Sequence, residues 1–266
     1  MLSNYHTHTT FCDGKNTPEE IVLYAIDKGF SSIGFSGHGF TPFDRRYCMK
    51  RTDEYISEVN YVKEKYKGKI EVYCGIEEDA FSYVDRSKLD YIIGSSHYVH
   101  VNYRYYPIDS NYDYFKQCLE AFDFDIKALS ENYYSNFIRY ILHRKPDIVG
   151  HFDVITKFDE IDVQRFLNNE DYWKIAEKYL TIAIGAGSIF EMNTGAICRG
   201  QRKTPYFGER LLHVLKKNDG KVILSSDSHN VDTLVFGFDE ILRLLRDVGF
   251  DGVYEMSGGE FKKRSI

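Results

Sequence analysis

The chain has 266 residues, 43% of them hydrophobic and 28% charged, and its formal net charge is −6. This composition is typical of a globular protein and excludes the collagen-like and disordered classes. The acidic net charge gives no electrostatic footprint for nucleic acid or an anionic membrane, so the expected partner is a small molecule.

The N-terminus and the cysteines indicate the compartment. His6 and His8 stand where a signal peptide needs an apolar run, and no apolar stretch approaches the length of a membrane span, about 18 residues. Five cysteines are scattered without a CxxC pair, so we expect reduced thiols. The sequence therefore predicts a cytoplasmic protein without a membrane partner.

Short apolar runs recur between longer amphipathic segments, as expected for β/α units around a parallel sheet. The first helix is predicted by a capping box from Thr17 to Glu20 with Pro18 at its first position, and Gly29 can close it. Similar signals predict helices beginning near Asp53 and Asp232. The tyrosine-rich stretch 98–145 is expected to cross one end of a barrel and to be helical in its second half. The apolar runs lie near 2–6, 31–36, 70–76, 90–95, 147–150, 188–192 and 221–226.

Polar side chains with metal-binding or catalytic chemistry follow every one of these runs. The carboxyl ends of parallel strands in a barrel meet on the face where active sites are built, so these side chains are expected to share one cavity. His6 and His8 are two residues apart in an extended segment and can grip one ion, as can Asp227 and His229. Glu191 and Asn193 lie in the sixth run.

Histidines and carboxylates at these strand ends are the candidate metal ligands. A single histidine after a strand is more often a loop or capping residue, but six of the nine histidines share this placement. The mixture suits borderline divalent metals, and it is too large for one zinc ion, which takes about four ligands. Two or three ions are implied, with Glu77 expected to bridge two of them and with Glu78 and Asp79 as solvated neighbours, one of which can support a ligand. The candidate ligands are His6, His8, Asp13, His38, Glu77, His97, His151, Asp227 and His229.

Other catalytic signatures are missing from the sequence. It contains no GxxxxGK[ST] loop, no GxSxG elbow and no HExxH motif. Catalysis by a nucleophilic side chain is therefore unsupported, and hydrolysis by metal-activated water remains.

The ordered ligands resemble the signature of the PHP family, named for polymerase and histidinol phosphatase domains. The resemblance runs from His6-x-His8 through the Gly150-His151 segment to Asp227-x-His229. The chain length, the stretch 150–157 and the Glu191-Met192-Asn193 segment followed by Arg199 are similar to the stand-alone histidinol-phosphate phosphatases of that family.

The resemblance implies a single-domain α/β fold over residues 1–266, a distorted (β/α)7 TIM-like barrel, and a trinuclear metal centre. The metals of such centres include zinc, iron and manganese, and mixed ligation does not choose among them. The implied ligand sets are His6, His8, Glu77 and Asp227 for the first ion, Glu77, His97 and His151 for the second, and Asp13, His38 and His229 for the third.

The activity that the resemblance implies is hydrolysis of L-histidinol phosphate by attack of a metal-bridging hydroxide on phosphorus. Arg199 is the first candidate for binding the phosphate and Lys157 is the second, because their cations can clamp its oxygens. The alternative for both is an exposed loop cation. Asp227 and His229 are possible proton-handling groups, although ligation explains them better.

Two other functions stay open on the same residues. One is a PHP phosphoesterase acting on a nucleotide or another small phosphate ester, and the other is a metal-binding module without catalysis. The oligomeric state is open as well. For the cationic part of histidinol, the candidates are the tyrosine-rich residues 103–106 and the acidic Asp44 and Glu78.

Overall fold

The chain forms a curled, mostly parallel sheet covered by helices, as the computed structural model of residues 2–160 and 163–266 describes. The strands are β1 (Leu2–Asn4), β2 (Phe30–Phe35), β3 (Glu71–Asp79), β4 (Tyr91–Ser95), β5 (Tyr98–Val101), β6 (Arg104–Pro107), β7 (Ile148–Val149), β8 (Ile189–Asn193), β9 (Lys221–Ser225), β10 (Gly252–Ser257) and β11 (Glu260–Ser265). The helices are α1 (Pro18–Asp27), α2 (Thr52–Lys65), α3 (Tyr112–Ala121), α4 (Ile126–Arg144), α5 (Glu170–Ile184), α6 (Gly195–Cys198), α7 (Glu209–Lys217) and α8 (Phe238–Val248). None of the helices within these described ranges is long and apolar enough to cross a lipid bilayer.

The strand order confirms the predicted parallel architecture. The sheet runs β1-β2-β3-β4-β7-β8-β9-β10-β11, and every neighbouring pair is parallel except β10 and β11, which form an antiparallel hairpin. The first seven strands of that order fall on the seven apolar runs of the sequence. They are buried on both faces over most of their length, which explains why the runs are continuous rather than alternating.

The sheet curls far enough for its first strand to meet its seventh at their carboxyl ends. Thr7 and Ser228, which follow β1 and β9, form a parallel bridge. The backbone N–H of His8 donates to the carbonyl of Ser228 at 2.8 Å, and the N–H of Ser228 donates to the carbonyl of His6 at 3.0 Å. These bonds bring the first and last candidate ligands together in a distorted TIM-like barrel.

Tyrosines and aliphatic side chains fill the interior of the barrel. The hydroxyl of Tyr91 donates to the backbone carbonyls of Tyr5 at 2.5 Å and Phe35 at 3.0 Å. The Tyr91 ring lies so close to Gly75 that a Cβ there would be 2.4 Å from the ring carbon Cζ, so this position requires glycine. The buried residues of this interior cluster are Tyr5, Tyr73, Tyr91, Ile93, Ile148, Ile189, Ile223 and Met256.

The predicted first helix is confirmed, whereas the prediction of a helix that begins near Asp232 is wrong. Thr17 caps α1 with the full capping box that the sequence predicts, and Gly29 follows the helix with a φ of 75°. Near Asp232 the chain makes only a 3₁₀ turn, Val231–Thr233, and α8 begins at Phe238. Gly237 has a φ of 73°, a left-handed conformation that separates the turn from the helix.

The stretch 98–145 leaves the barrel as an insertion between β4 and β7. It begins with the antiparallel hairpin of β5 and β6 and continues through α3 and α4. The predicted helix in its second half is confirmed as α4, whereas α3 lies in the first half, where no helix was predicted. The hairpin places the segment after β6 over the carboxyl ends of the strands, because the N–H of Ile108 donates to the carbonyl of His97 at 3.0 Å.

Candidate metal centre and active site

All nine candidate ligands meet at the carboxyl ends of the parallel strands. Glu77 lies within β3, and the others stand in the segments that follow the strands. Four groups of them have ligand atoms within 4.8 Å of one another. The groups are His8, Asp13, His38 and His229; His6, Glu77 and His151; His6, His8 and Asp227; and His38, Glu77 and His97.

Glu77 is the carboxylate at the centre of the cluster, and its side chain is fully buried. Its Oε1 lies 3.0 Å from Nε2 of His151 and 3.2 Å from Nε2 of His97. Its Oε2 lies 2.8 Å from Nδ1 of His38 and 3.3 Å from Nε2 of His6. Each oxygen therefore faces a different pair of imidazoles, an arrangement in which one carboxylate can bridge two ions.

Asp13 and Asp227 flank this centre. Asp13 lies 3.2 Å from Nδ1 of His8, 3.2 Å from Nε2 of His229 and 3.6 Å from Nε2 of His38. Asp227 Oδ1 lies 3.1 Å from Nε2 of His8. His8 therefore stands between the two carboxylates, which joins the Asp13 group to the rest of the cluster.

Several buried ligand atoms in this cluster have no hydrogen-bond partner among the described residues. They include Nε2 of His6, Nε2 of His8 and Oε2 of Glu77. Buried polar atoms are nearly always satisfied. Here Nε2 of His6 and Nε2 of His8 lie 3.3 and 3.8 Å from Oε2 of Glu77 without forming a hydrogen bond to it. Imidazole nitrogens and carboxylate oxygens that lie within 4.8 Å of one another, some of them unsatisfied, fit bound divalent cations.

The carboxylates are charged even without metal. Burial alone would raise the pKa of Glu77, but the neighbouring imidazoles of His38, His6 and His97 hold it well below its usual range. Burial would likewise lower the pKa of His6, but the carboxylates of Glu191 and Glu77 raise it to about 10. A metal ion and a proton therefore compete for the same nitrogen of His6.

A second layer of carboxylates orients the histidines. Glu191 lies 2.5 Å from Nδ1 of His6 and accepts the backbone N–H of His151 at 2.8 Å. With a hydrogen on Nδ1, the lone pair of His6 is on Nε2, which faces Glu77. Asp79 accepts the backbone N–H of His97 at 2.9 Å and lies 3.3 Å from its Nδ1. Such supporting carboxylates fix the tautomer and the direction of a ligand.

The expectation that Glu78 and Asp79 are solvated is wrong, because both side chains are buried. Asp79 supports His97, whereas Glu78 turns to the other face of β3. There it pairs with Arg144 at 2.7 Å and accepts the hydroxyl of Tyr140 at 2.8 Å. Glu78 is therefore a buried structural ion pair outside the site, and it is removed as a candidate for binding the cationic part of a substrate.

A cavity of about 430 Å³ opens above the cluster. Asp13, His38 and His229 line its floor, while Lys157 and Arg199 bring positive charge to it. These two cations and six of the nine candidate ligands thus line the same cavity.

The family of this chain follows from its match to a known domain profile. The profile of the PHP domain matches residues 4–195, which is more than half of the chain. The chain belongs to the PHP family. The resemblance of its histidines and carboxylates to that family is confirmed.

Proteins that are similar in sequence to this PHP chain are named histidinol-phosphatases. A Schizosaccharomyces pombe protein named "Probable histidinol-phosphatase" is 29% identical over 254 residues, covering 86% of this chain and 81% of the relative. The histidinol-phosphatase of Bacillus subtilis is 24% identical over 89% of this chain and 97% of its own. The fold matches the crystal structure of histidinol phosphate phosphatase from Lactococcus lactis, complexed with zinc, L-histidinol and phosphate, with a TM-score of 0.71 and 20% identity, covering 98% of each chain.

Both predicted phosphate-binding cations of this PHP domain lie in the cavity, and neither is a freely exposed loop cation. Arg199 donates from Nη2 to Oδ2 of Asp227 at 3.0 Å and from Nη1 to its backbone carbonyl at 3.1 Å, and a third of its side chain is exposed. Lys157 is buried and donates to the carbonyl of Asp109 at 2.5 Å. Burial lowers the pKa of Lys157, with the charge of Arg199 acting in the same direction.

Two further residues of the cavity were missed by the sequence analysis. Tyr206 lines it with a buried hydroxyl that has no hydrogen-bond partner among the described residues, and the guanidinium of Arg202 lies 4.8 Å from its ring centre. Asp109 lines it from the segment after β6. Neither residue directly follows a strand of the barrel, so the pattern that revealed the ligands carries no signal for them.

Proposed function

We propose that this PHP domain is a metal-dependent phosphatase that hydrolyses L-histidinol phosphate to L-histidinol and inorganic phosphate. The observation that carries the proposal is the meeting of the ligand cluster with Arg199 and Lys157 in one cavity. Ligands for divalent cations beside an arginine and a lysine are the groups that can bind and hydrolyse a phosphate monoester.

The cluster has enough donors for three divalent ions, which we take to be zinc, iron or manganese. When bound, such ions would neutralise phosphate oxygens and lower the pKa of a coordinated water toward about 7. Glu77 is the bridging ligand of the proposal, since its two oxygens face different imidazole pairs. The ligand sets are those that the family resemblance implies.

The residues of the chain have separate tasks in this proposal. Arg199 can grip two phosphate oxygens, because Asp227 holds its guanidinium at the cavity wall while a third of the side chain stays exposed. Lys157 adds a second positive charge. In this proposal Asp227 and His229 are ligands that also exchange a proton with the departing oxygen, since both line the cavity and the His229 ring is 26% exposed.

The names of the relatives support the choice of substrate. Proteins named histidinol-phosphatase match this chain over 81% and 97% of their own lengths, so the similarity is not limited to a shared motif. The volume of about 430 Å³ suits a small phosphate ester. We take residues 1–266 to form one phosphoesterase domain that works in the cytoplasm.

The test is release of inorganic phosphate from L-histidinol phosphate beside a panel of nucleotides and sugar phosphates. The protein should be purified without chelator, and its bound metals should be counted by elemental analysis. We expect a kcat/KM for L-histidinol phosphate well above that for every other ester, and its loss after chelation.

Each other outcome points to one of the alternatives. Activity confined to nucleotides or sugar phosphates would keep the metal-dependent reaction and reject this substrate. Full metal loading without any phosphate release would support a metal-binding module without catalysis.

A further inference from the structure

Asp109 is a carboxylate without a partner in the candidate active site. It lines the cavity and is partly exposed to it, and its side chain makes no hydrogen bond or ion pair with the rest of the described chain. The other acidic side chains of the cavity are all engaged. Asp13 and Asp227 face the histidines, and Asp44 pairs with Arg46 at 2.5 Å and accepts the hydroxyl of Tyr98 at 2.9 Å.

The backbone around Asp109 is firmly held. The N–H of the preceding residue, Ile108, donates to the carbonyl of His97, and Asn111 caps α3 two residues further on. The carbonyl of Asp109 itself accepts the ammonium group of Lys157. The carboxylate is therefore carried on a fixed segment that is tied both to a candidate metal ligand and to a candidate phosphate-binding cation.

An unpaired carboxylate is unexpected beside a site for a phosphate dianion. Like charges placed together in a binding site oppose binding, so Asp109 would weaken the affinity for a simple phosphate ester. The conflict disappears when the substrate carries its own positive charge close to the phosphate. In that case the carboxylate contributes to binding and rejects esters without the cation.

We propose that Asp109 is the specificity-determining residue that binds a primary ammonium group two carbons from the ester oxygen of the substrate. This inference rests on the proposed function, because L-histidinol phosphate carries its amino group at that position. The contact between Lys157 and the Asp109 carbonyl, 2.5 Å long, places the phosphate-binding charge and the carboxylate in adjacent positions. The short distance between the phosphate and the ammonium group in such an ester requires this spacing.

A structural role for Asp109 makes a different prediction. The carboxylate lies close enough to Lys157 and Arg199 to interact with both charges, so it could serve only to hold them. The ammonium group of Lys157, however, is bonded to the backbone carbonyl, which a substitution of the side chain leaves in place. If Asp109 only positioned the cations, its substitution would impair all phosphate esters equally.

The experiment compares esters that differ only in the amino group. The pairs are 2-aminoethyl phosphate with ethyl phosphate, and L-histidinol phosphate with its analogue lacking the amino group. The holoenzyme is tested as the wild type, as Asp109→Asn and as Asp113→Asn. The last variant removes the same charge from the exposed first turn of α3, away from the cavity.

We expect the wild type to prefer the amino ester in each pair. Asp109→Asn should reduce the ratio of kcat/KM for the amino ester to that for its partner by about 10-fold to 100-fold, as for a lost hydrogen bond between charged groups. The change should lie mainly in KM. Asp113→Asn should keep the ratio of the wild type, and thermal unfolding checks that both variants fold.

The outcomes separate the failure of this inference from that of the proposed function. An equal loss on both members of a pair, or a wild type without preference for the amino group, would overturn the role of Asp109. Preference for 2-aminoethyl phosphate with no activity on L-histidinol phosphate would reject only the proposed function. If no ester is hydrolysed, calorimetric binding of L-histidinol decides, because equal affinity of the wild type and Asp109→Asn contradicts the inference.

Discussion

His6 and Glu191 are joined by a contact of 2.5 Å between Nδ1 and a carboxylate oxygen, although they are 185 positions apart in the chain. This contact leaves Nε2 of His6 directed at Glu77, 3.3 Å away. Glu191 also accepts the backbone N–H of His151. One carboxylate outside the predicted ligand sets thus orients two of the predicted ligands.

Replacement of Glu191 should therefore weaken metal binding without removing a ligand. We expect Glu191→Gln to reduce metal affinity by about 10-fold to 100-fold, the usual effect of losing a supporting carboxylate. Competition with a metal indicator measures the affinity. Glu120→Gln, on the exposed face of α3, is the matched control. An affinity equal to that of the wild type would show that Glu191 does not orient the ligands.

Replacement of Glu77 tests the centre of the cluster. Glu77→Gln keeps the shape of the side chain but removes the charge that faces both imidazole pairs. We expect kcat to fall about 1,000-fold or more, since metal ions supply several kcal/mol to such a reaction. Elemental analysis should show fewer bound ions, and circular dichroism should show an intact fold. Full activity of this variant would refute the bridging role.

Arg199 is expected to bind phosphate through two parallel hydrogen bonds, and a lysine cannot reproduce them. We expect Arg199→Lys and Arg199→Ala to reduce kcat/KM by about 10-fold and 100-fold, since charged hydrogen bonds contribute about 1.5–3 kcal/mol. Inhibition by inorganic phosphate should weaken in parallel. Arg243→Ala, which removes an exposed guanidinium of α8, should behave as the wild type.

Because Arg199 also pairs with Asp227, its variants need a count of bound metal. A loss of metal that matches the loss of activity would mean that Arg199 serves the ligand and not the phosphate. Unchanged metal content with weaker phosphate inhibition is the result that the proposal requires.

The sequence predicts the strands and the ligand cluster because both depend on one repeated pattern. Each buried parallel strand reads as a continuous apolar run, and the polar side chain after it must lie at the common carboxyl edge. His6 and His229 could thus be placed together across almost the whole chain. The short β7, with only two residues, was still marked by the apolar run near 147–150.

The errors arise where burial depends on a distant partner. Glu78 follows Glu77 directly, and such a run of acidic residues is typical of a solvated turn. In the structure Arg144 from α4 neutralises the buried Glu78 carboxylate. The β10–β11 hairpin was not predicted, because β11 is largely exposed and rich in charged residues. Asp109 and Tyr206 reach the cavity from excursions outside the β/α repeat, and no local pattern encodes where such segments return.

The contribution of the barrel interior to stability can be measured at Tyr91. Tyr91→Phe removes a hydroxyl that satisfies the buried carbonyls of Tyr5 and Phe35. We expect a loss of about 1–3 kcal/mol in the free energy of unfolding, the usual effect of leaving buried polar groups unpaired. Urea denaturation measures it. Tyr103→Phe, at a side chain that is 98% exposed, is the matched control and should leave the stability unchanged.

Metal binding should strengthen as the pH rises. In the metal-free protein the carboxylates around His6 raise its pKa to about 10, so both ring nitrogens are protonated at pH 7. A metal ion requires the neutral ring, which has one nitrogen free of hydrogen. Each bound ion that uses His6 must displace this proton, and the affinity should increase by up to about tenfold per pH unit between pH 7 and 9. Calorimetry in buffers of different ionisation enthalpy measures the released protons directly. Binding at pH 7 without proton release would contradict the charge state derived for His6.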